Sequence, residues 1–178
     1  MQKGVKFRAY PNKEQQNLIN KTFGCCRLIY NKGLSMREEA YRNGQKVGYN
    51  QTSAMLTELK KTDSIALQQS LRDLDRSYKN FFDKRAKHPQ FKSKHNNNQS
   101  YRTINQCDSI RIIGNYIKLP KIGYVKIKQS MEVGHIYNVT IERTATGKYF
   151  VVLNVEFEPE NRNNGGCMVG IDVGIKEF

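Results

Sequence analysis

The residues with the clearest chemical signal are cations spaced among aromatic rings in the middle of the chain. Lysine and arginine can neutralise phosphates, and aromatic rings can stack on bases or on guanidinium planes. The cations of this stretch, which contains the single acid Asp83, are Lys79, Lys84, Arg85, Lys87, Lys92, Lys94 and Arg102. The interleaved aromatic residues are Tyr78, Phe81, Phe82, Phe91 and Tyr101. The stretch therefore favours a nucleic-acid surface over an ordinary solvated face.

The overall charge points to the same class of partner. The 178 residues include 30 Lys and Arg against 16 Asp and Glu, a formal net charge of +14. An excess of this size is typical of proteins that bind polyphosphates. The longest apolar run, Tyr149 to Leu153, is far shorter than the ~20 residues of a membrane span, and the charged N-terminus lacks the apolar core of a signal peptide. We expect a cytoplasmic protein with no membrane partner.

The cysteines do not form a metal-binding pattern. No C-x-x-C pair occurs among Cys25, Cys26, Cys107 and Cys167, and the chain has only 3 histidines. Adjacent side chains such as Cys25 and Cys26 do not face the same way on a helix. We therefore expect free thiols and no zinc site.

The first half of the chain predicts one strand followed by three helices. Alternating apolar residues predict a strand over residues 1–10, which Pro11 ends. Asn12 and Gln15 have the spacing of a capping box, and helical spacing then continues from Leu18 to Tyr41. A short helix is expected over 52–61.

The third predicted helix opens near Asp63 or Ser64. Its apolar stripe consists of Leu67, Leu71, Leu74, Tyr78 and Phe81. Phe81 and Phe82 continue this stripe, so we expect them to lie in a helix core rather than to stack on bases. The polar segment 88–98 is then expected to form a loop or linker.

After the polar segment the apolar period changes from 3.6 to 2. The candidate strands are 110–113, 116–119, 123–128, 136–143 and 148–157, with a Thr146-Gly147 turn between the last two. Short antiparallel strands of this kind predict a small barrel or twisted sheet. The pattern therefore predicts the α+β fold class, with three helices that could form a small bundle and a small antiparallel barrel or twisted sheet.

A final motif runs from Met168 to Gly174 and predicts a buried strand that carries one acid, Asp172, before a glycine turn. A carboxylate there could bind a divalent cation. However, two-metal cleavage of a phosphodiester needs several carboxylates around ions ~3.5–4 Å apart. An Asp before a turn is also common for local hydrogen-bonding reasons, so the motif alone leaves both interpretations open.

A series of segments, taken together and in order, resembles the N-terminal part of the TnpB (OrfB-type) proteins of bacterial insertion sequences. These proteins are transposon-encoded relatives of the type V CRISPR effector nucleases. The resembling segments include K-F-R-A-Y-P-N-K-E-Q, F-G-C-C-R-L-I-Y-N, A-L-Q-Q-S-L-R-D-L-D-R-S-Y-K-N-F-F, I-K-L-P-K-I-G-Y-V-K-I and V-G-I-D-V-G-I-K-E-F.

The resemblance implies an antiparallel β-barrel with an inserted three-helix bundle, a domain layout and a set of partners. Residues 1–10 would form the first strand of a wedge domain, 11–95 a helical, helix-turn-helix-like recognition domain, 96–163 the remainder of the wedge barrel, and 164–178 the start of a truncated RuvC-like (RNase H-like) nuclease domain. Complete members of the family are RNA-guided DNA endonucleases that cut with Mg²⁺. The implied partners are a guide RNA from the transposon end and double-stranded DNA with a short target-adjacent motif.

The resemblance also assigns individual residues. Asp172 matches the first RuvC carboxylate, and Tyr49, Ser53 and Gln68 match positions near the target-adjacent motif. A Gln amide can pair bidentately with adenine, although Gln68 could equally be a solvated helix position. Arg102 is expected to contact DNA phosphate. The residues expected to contact RNA phosphates are Lys84, Arg85, Lys87, Lys92 and Lys94.

The expected function follows from these assignments. Because only one carboxylate of the RuvC cluster is present, we expect the chain to bind nucleic acid without cutting it and to need no metal cofactor. One alternative is a non-catalytic, RNA-guided or DNA-binding transcriptional regulator. Another is a basic structural RNA-binding module with no role at DNA.

Overall fold

The computed structural model describes residues 1–53 and 63–158, which form an α+β fold. The helices are α1 (Lys13–Arg42), α2 (Tyr49–Ser53) and α3 (Ser64–Phe82). The strands are β1 (Gln2–Tyr10), β2 (Gln99–Ile104), β3 (Arg111–Ile113), β4 (Tyr116–Leu119), β5 (Gly123–Lys128), β6 (Ile136–Arg143) and β7 (Tyr149–Glu156). All three helices lie between β1 and β2 in the chain, as the sequence predicts.

The strands form one curled, half-barrel antiparallel sheet in the order β2-β6-β7-β1-β5-β4-β3. β1 lies inside the sheet, where it pairs with β7 along its length and with β5 at its C-terminal end. Its alternating residues Val5, Phe7 and Ala9 are buried, because successive side chains of a strand point to opposite faces. The predicted strand is therefore confirmed, and it is central to the sheet.

β2 is a strand that the sequence pattern did not predict. It pairs with β6 over its whole length, and its inward side chains Tyr101 and Thr103 are buried. Of the residues on this face only Tyr101 is apolar, and Ile104 lies on the opposite face, so no apolar alternation is visible. The β6–β7 hairpin is confirmed, and Gly147 in its turn has a φ of 72°, which glycine adopts without a Cβ clash.

Helix α1 packs its buried face against the sheet core through residues that include Ile19, Phe23 and Cys26. Two members of the predicted stripe are exceptions, since Leu18 and Tyr41 are exposed. The α1–α3 contact forms a small separate cluster of Tyr30, Leu34 and Leu74, with Tyr78 packed against it.

The ends of the helices follow the predicted signals where the structure describes them. Asp63 caps α3, because its side chain accepts a hydrogen bond from the Ile65 amide at 3.0 Å. The described helix α2 overlaps the helix predicted over 52–61 only at Thr52 and Ser53, and residues 54–62 lie outside the described residues. Among the helices that the structure describes, none is long and apolar enough to cross a membrane.

The capping box at the start of α1 is present in full. The Asn12 side chain accepts from the Gln15 amide at 2.8 Å, and the Gln15 side chain accepts from the Asn12 amide at 3.0 Å. Gln15 also donates through Nε2 to the Tyr124 carbonyl oxygen at 2.7 Å. The cap therefore links the first turn of α1 to strand β5.

We expect Asn12→Ala to lower the free energy of unfolding by about 1 kcal/mol, because the Gln15 amide of the first turn loses its side-chain acceptor. Urea denaturation followed by circular dichroism measures the change. Asn12→Asp, which keeps the accepting oxygen, is the matched control and should stay close to the wild type. Equal destabilisation by both substitutions would contradict the role of the cap.

Candidate nucleic-acid interface

The polar segment that follows α3 is held against α1 by one side chain. Asn31 donates through Nδ2 to the Lys92 carbonyl oxygen at 2.9 Å and accepts through Oδ1 from the Lys92 amide at 2.8 Å. This two-bond amide contact satisfies both backbone groups of Lys92. Segment 88–98, which we call the basic loop, is thus attached to α1 near its midpoint.

Lys92 is less free to bind phosphate than its sequence context predicts. Its Nζ lies 4.1 Å from the centre of the Tyr30 ring, a cation–π geometry. Burial of the ammonium group lowers the pKa of Lys92, and the nearby Asp73 carboxylate opposes that shift. Lys92 therefore joins the basic loop to α1 as well as adding positive charge.

Arg102 and Arg85 both have acidic partners. Arg102, on β2, pairs with Asp73 of α3 at 2.5 Å, and Arg85 pairs with Asp83. The Arg102 pair bridges the sheet to the helical layer, so this guanidinium has a structural partner in addition to the predicted phosphate role. The other predicted RNA-contacting cations, Lys84, Lys87 and Lys94, are exposed.

The residues expected near the target-adjacent motif lie on two helices that pack together. Tyr49 is at the start of α2, and Gln68 is half-buried in the first half of α3. Arg72, four residues after Gln68, places its guanidinium 5.9 Å from the centre of the Tyr49 ring. Ser53 donates to the Asn50 carbonyl oxygen at 2.8 Å. Arg72 is thus a cation next to this group that the sequence analysis missed.

The aromatic residues of the middle segment divide into packed and exposed rings. Tyr78 packs on the α1–α3 cluster, and Phe81 is half-buried, with its ring centre 5.1 Å from that of His88. The expectation that Phe82 lies in the core is wrong, since 69% of its surface is exposed. Phe82 is the last residue of α3, and its ring contacts those of Tyr78 and Phe81 while most of its surface faces solvent.

A second cationic surface covers the outward face of β1, β3, β4 and β5. No Asp or Glu occurs in 2–10 or 111–128. Two cross-strand pairs consist of like charges, because Arg8 lies opposite Lys128 and Arg111 lies opposite Lys118. Like charges directly opposite each other destabilise a sheet. The residues of this surface, which we call the basic sheet face, are Arg8, Tyr10, Arg111, Tyr116, Lys118, Tyr124, Lys126 and Lys128.

Aromatic rings alternate with the cations on the basic sheet face. Tyr116 lies between Ile113 and Lys126, and Lys126 is in turn opposite Tyr10. The exposed fraction of Tyr10 is 50%, and that of both Tyr116 and Tyr124 is 47%. Exposed rings among cations are the elements of a single-strand binding platform. The sequence pattern predicts these strands but not the surface they form, because the surface depends on pairing between distant segments.

The described residues show no metal centre. No three His, Cys, Asp or Glu side chains within 1–53 and 63–158 are arranged to hold a metal ion. Cys26 and Cys107 are free thiols, and burial raises the pKa of Cys26 to about 12. Cys26 is therefore protonated at neutral pH and acts as a core residue. Asp172 lies outside the described residues, so the structure does not test its role.

The chain is similar in sequence to one family profile and to several known proteins. A helix-turn-helix domain profile of the OrfB_IS605 type matches residues 1–46, which include β1 and α1. A protein named RNA-guided DNA endonuclease InsQ, from Escherichia coli (strain K12), is 34% identical over 97% of this chain and 45% of its own length. A Streptomyces pristinaespiralis protein, also named RNA-guided DNA endonuclease, is 35% identical over 98% of this chain and 46% of its own length.

A shorter relative matches about half of this chain and almost all of its own length. The Virulence protein VsdF of Salmonella dublin is 32% identical over 53% of this chain and 96% of its own length. The chain spans less than half the length of the two endonuclease relatives.

We expect Asn31→Ala to release the basic loop. The Lys92 amide loses its acceptor, and since a hydrogen bond contributes about 1 kcal/mol, its hydrogen exchange should speed up roughly fivefold to tenfold. Exchange measured by NMR or mass spectrometry tests this. Asn31→Asp keeps an accepting oxygen for the Lys92 amide and should preserve most of the protection. Unchanged exchange in Asn31→Ala would show that other contacts hold the loop.

Proposed function

The chain belongs to the TnpB (OrfB-type) family, and on that premise we propose that it binds a structured RNA and, together with it, duplex DNA. The observation that carries this proposal is the basic sheet face. Its like-charged neighbours repel each other when nothing is bound, and a phosphate backbone would remove that repulsion. Cations that are unfavourable for the isolated fold are explained by a polyanionic partner.

The contacts on this face favour RNA with unstacked bases. The Arg8 guanidinium carbon lies 5.0 Å from the centre of the Phe150 ring and 5.6 Å from that of Tyr10, so rings and cations are already in contact. Proteins read RNA chiefly at unstacked bases, which stack on aromatic or guanidinium planes. Lys94 of the basic loop, together with Lys84 and Lys87 just before the loop, adds cations for phosphate contacts.

We assign DNA recognition to the α2–α3 surface. Arg72 contacts Tyr49 there, and Gln68 lies one helical turn before Arg72, so the surface offers one amide for base edges and one cation for phosphate. In this proposal RNA–DNA pairing selects the target sequence, while the side chains of this surface read a short adjacent motif. We assign Arg102 to phosphate at the edge of the helical layer.

The RNA arm is tested with Lys126→Ala combined with Lys128→Ala. Two lost phosphate contacts should reduce the slope of log affinity against log salt by about 1.5, because each contact contributes about 0.7–0.9. Filter binding or anisotropy with an RNA recovered by crosslinking from host cells measures the slope. The control is Lys21→Ala with Arg42→Ala, two exposed cations of α1.

The control matches the change in net charge but lies away from the basic sheet face. An equal loss of slope in both double variants would mean diffuse attraction by net charge and would refute a binding face. Crosslinked RNA with no enriched sequence would likewise contradict binding of a particular structured RNA.

The DNA arm is tested with Gln68→Ala. We expect preference for the target-adjacent motif to fall roughly 5-fold to 100-fold, since a bidentate base contact contributes about 1–3 kcal/mol of discrimination. RNA affinity should not change. Selection of bound duplexes from a randomised pool, with RNA present, measures the preference, and Gln106→Ala, an exposed loop glutamine, is the control. Equal weakening for every DNA sequence would count against base reading by Gln68.

A further inference from the structure

A polar cleft lies where three distant segments meet. α1 contributes Gln16 and Asn20, the basic loop contributes residues 94–97, and the β6–β7 turn contributes Arg143 and Thr144. The cleft has a volume of about 500 Å³. Of its lining residues, the proposed function uses Lys94, as a phosphate contact, and assigns no base-binding role to the cleft.

The side chains of the cleft have an unusual composition. The cleft is lined by five amide side chains and three basic ones. The amides are Gln16, Asn20, Asn96, Asn97 and Gln99, and the basic side chains are Lys94, His95 and Arg143. No Asp or Glu is among its lining residues. Amides offer donors and acceptors that match the edge of a nucleobase, and the cations favour a phosphate. The composition therefore suits a nucleotide better than an apolar compound or a metal ion.

One wall of the cleft is pre-organised. Asn20 Oδ1 accepts from Arg143 Nη1 at 2.8 Å and from the Tyr149 hydroxyl at 3.4 Å. These bonds join α1 to the β6–β7 hairpin and fix the Arg143 guanidinium, which has further N–H donors. On the opposite side, Gln99 donates through Nε2 to the Lys94 carbonyl oxygen at 3.1 Å, which orders the basic loop at the rim.

The cleft continues into a second one. Asn96 and Gln99 line both, and the second cleft, of about 240 Å³, extends along the basic loop to Lys92 and Arg27. A groove with cations along its length suits a nucleotide within a polymer, because the neighbouring phosphates also find partners. An isolated small molecule would leave the second cleft unused.

We propose that this cleft holds one unstacked nucleotide of the bound RNA, with amides of the cleft on the base and Lys94 and Arg143 on the phosphate. The proposal rests on the proposed function, because the nucleotide belongs to the RNA. It adds a base-reading site on the side of the basic loop, separate from the basic sheet face. The volume is within the range of nucleotide-sized pockets.

The first test uses free probes on the ¹⁵N-labelled full chain. AMP, GMP, CMP, UMP and ribose 5-phosphate are titrated while the side-chain amide signals of Asn20, Asn97 and Gln99 are followed. At least one mononucleotide should shift these signals saturably, with a Kd at least tenfold below that of ribose 5-phosphate. Equal binding of ribose 5-phosphate would show a phosphate site without base recognition, and absent or scattered shifts would also overturn the proposal.

Matched variants separate this inference from the proposed function. Lys94→Ala with Asn97→Ala should raise the mononucleotide Kd at least fivefold, and Lys126→Ala with Lys128→Ala should leave it within twofold. If only the sheet-face variant fails to alter RNA binding, the RNA assignment of that face is wrong. If only the cleft variant fails to alter mononucleotide binding, the cleft proposal is wrong.

The link to RNA is tested by crosslinking. An oligonucleotide that contains 4-thiouridine is irradiated with the full chain, and crosslinked peptides are identified by mass spectrometry. Peptides that contain residues 94–99 should be crosslinked in the wild type and lost in the cleft variant. Crosslinks confined to β1 and β5 would overturn the proposal while supporting RNA binding on the basic sheet face.

Discussion

Strand β1 holds the described structure together through backbone pairing on both of its edges. Val5 and Phe7 pair with β7 on one side, and Arg8 to Tyr10 pair with β5 on the other. This central position connects the β2-β6-β7 part of the sheet to the β5-β4-β3 part. It also explains how the described helices, which lie between β1 and β2 in the chain, can form a layer without interrupting the sheet. The basic sheet face and the basic loop both depend on this arrangement. β1 forms part of the basic sheet face, and α1, which directly follows β1, holds the basic loop through Asn31.

The helical side of the protein, which carries the basic loop, and the basic sheet face differ in how their charges are balanced. On the helical side, acids of α3 compensate cations, as Asp73 does for Arg102 and Asp75 does for Arg37. On the basic sheet face, Arg8 lies opposite Lys128 with no acid on β1, β3, β4 or β5, and Glu142 of β6 pairs with Lys6. Exposed charges interact weakly beyond about 8 Å at physiological salt, so only near neighbours matter here. Cation–π contacts of Arg8 offset part of the repulsion and leave the charge available to a partner.

Local signals in the sequence predicted local structure well. Asn12 with Gln15 and the Thr146-Gly147 turn are each defined by a few neighbouring residues, and the structure confirms both. β2 was not predicted because it is defined by its pairing with β6. Of its inward-facing residues Tyr101 and Thr103, only Tyr101 is apolar, so the sequence shows no alternation. The candidate site shows the same division. The cations of the basic loop are visible in sequence, whereas the basic sheet face and the partner of Arg102 depend on contacts between distant segments, which no window of sequence contains.

The position of β1 also has a consequence for synthesis on the ribosome. Val5 pairs with Leu153, so the strand is made long before its partner. At about 5–20 residues per second, the delay between these two residues is on the order of ten seconds. During that time α1 can form locally, but the apolar side of β1 has no sheet to join, and contacts of such long sequence separation form slowly. The apolar side of the nascent β1 is thus exposed to aggregation until β7 emerges.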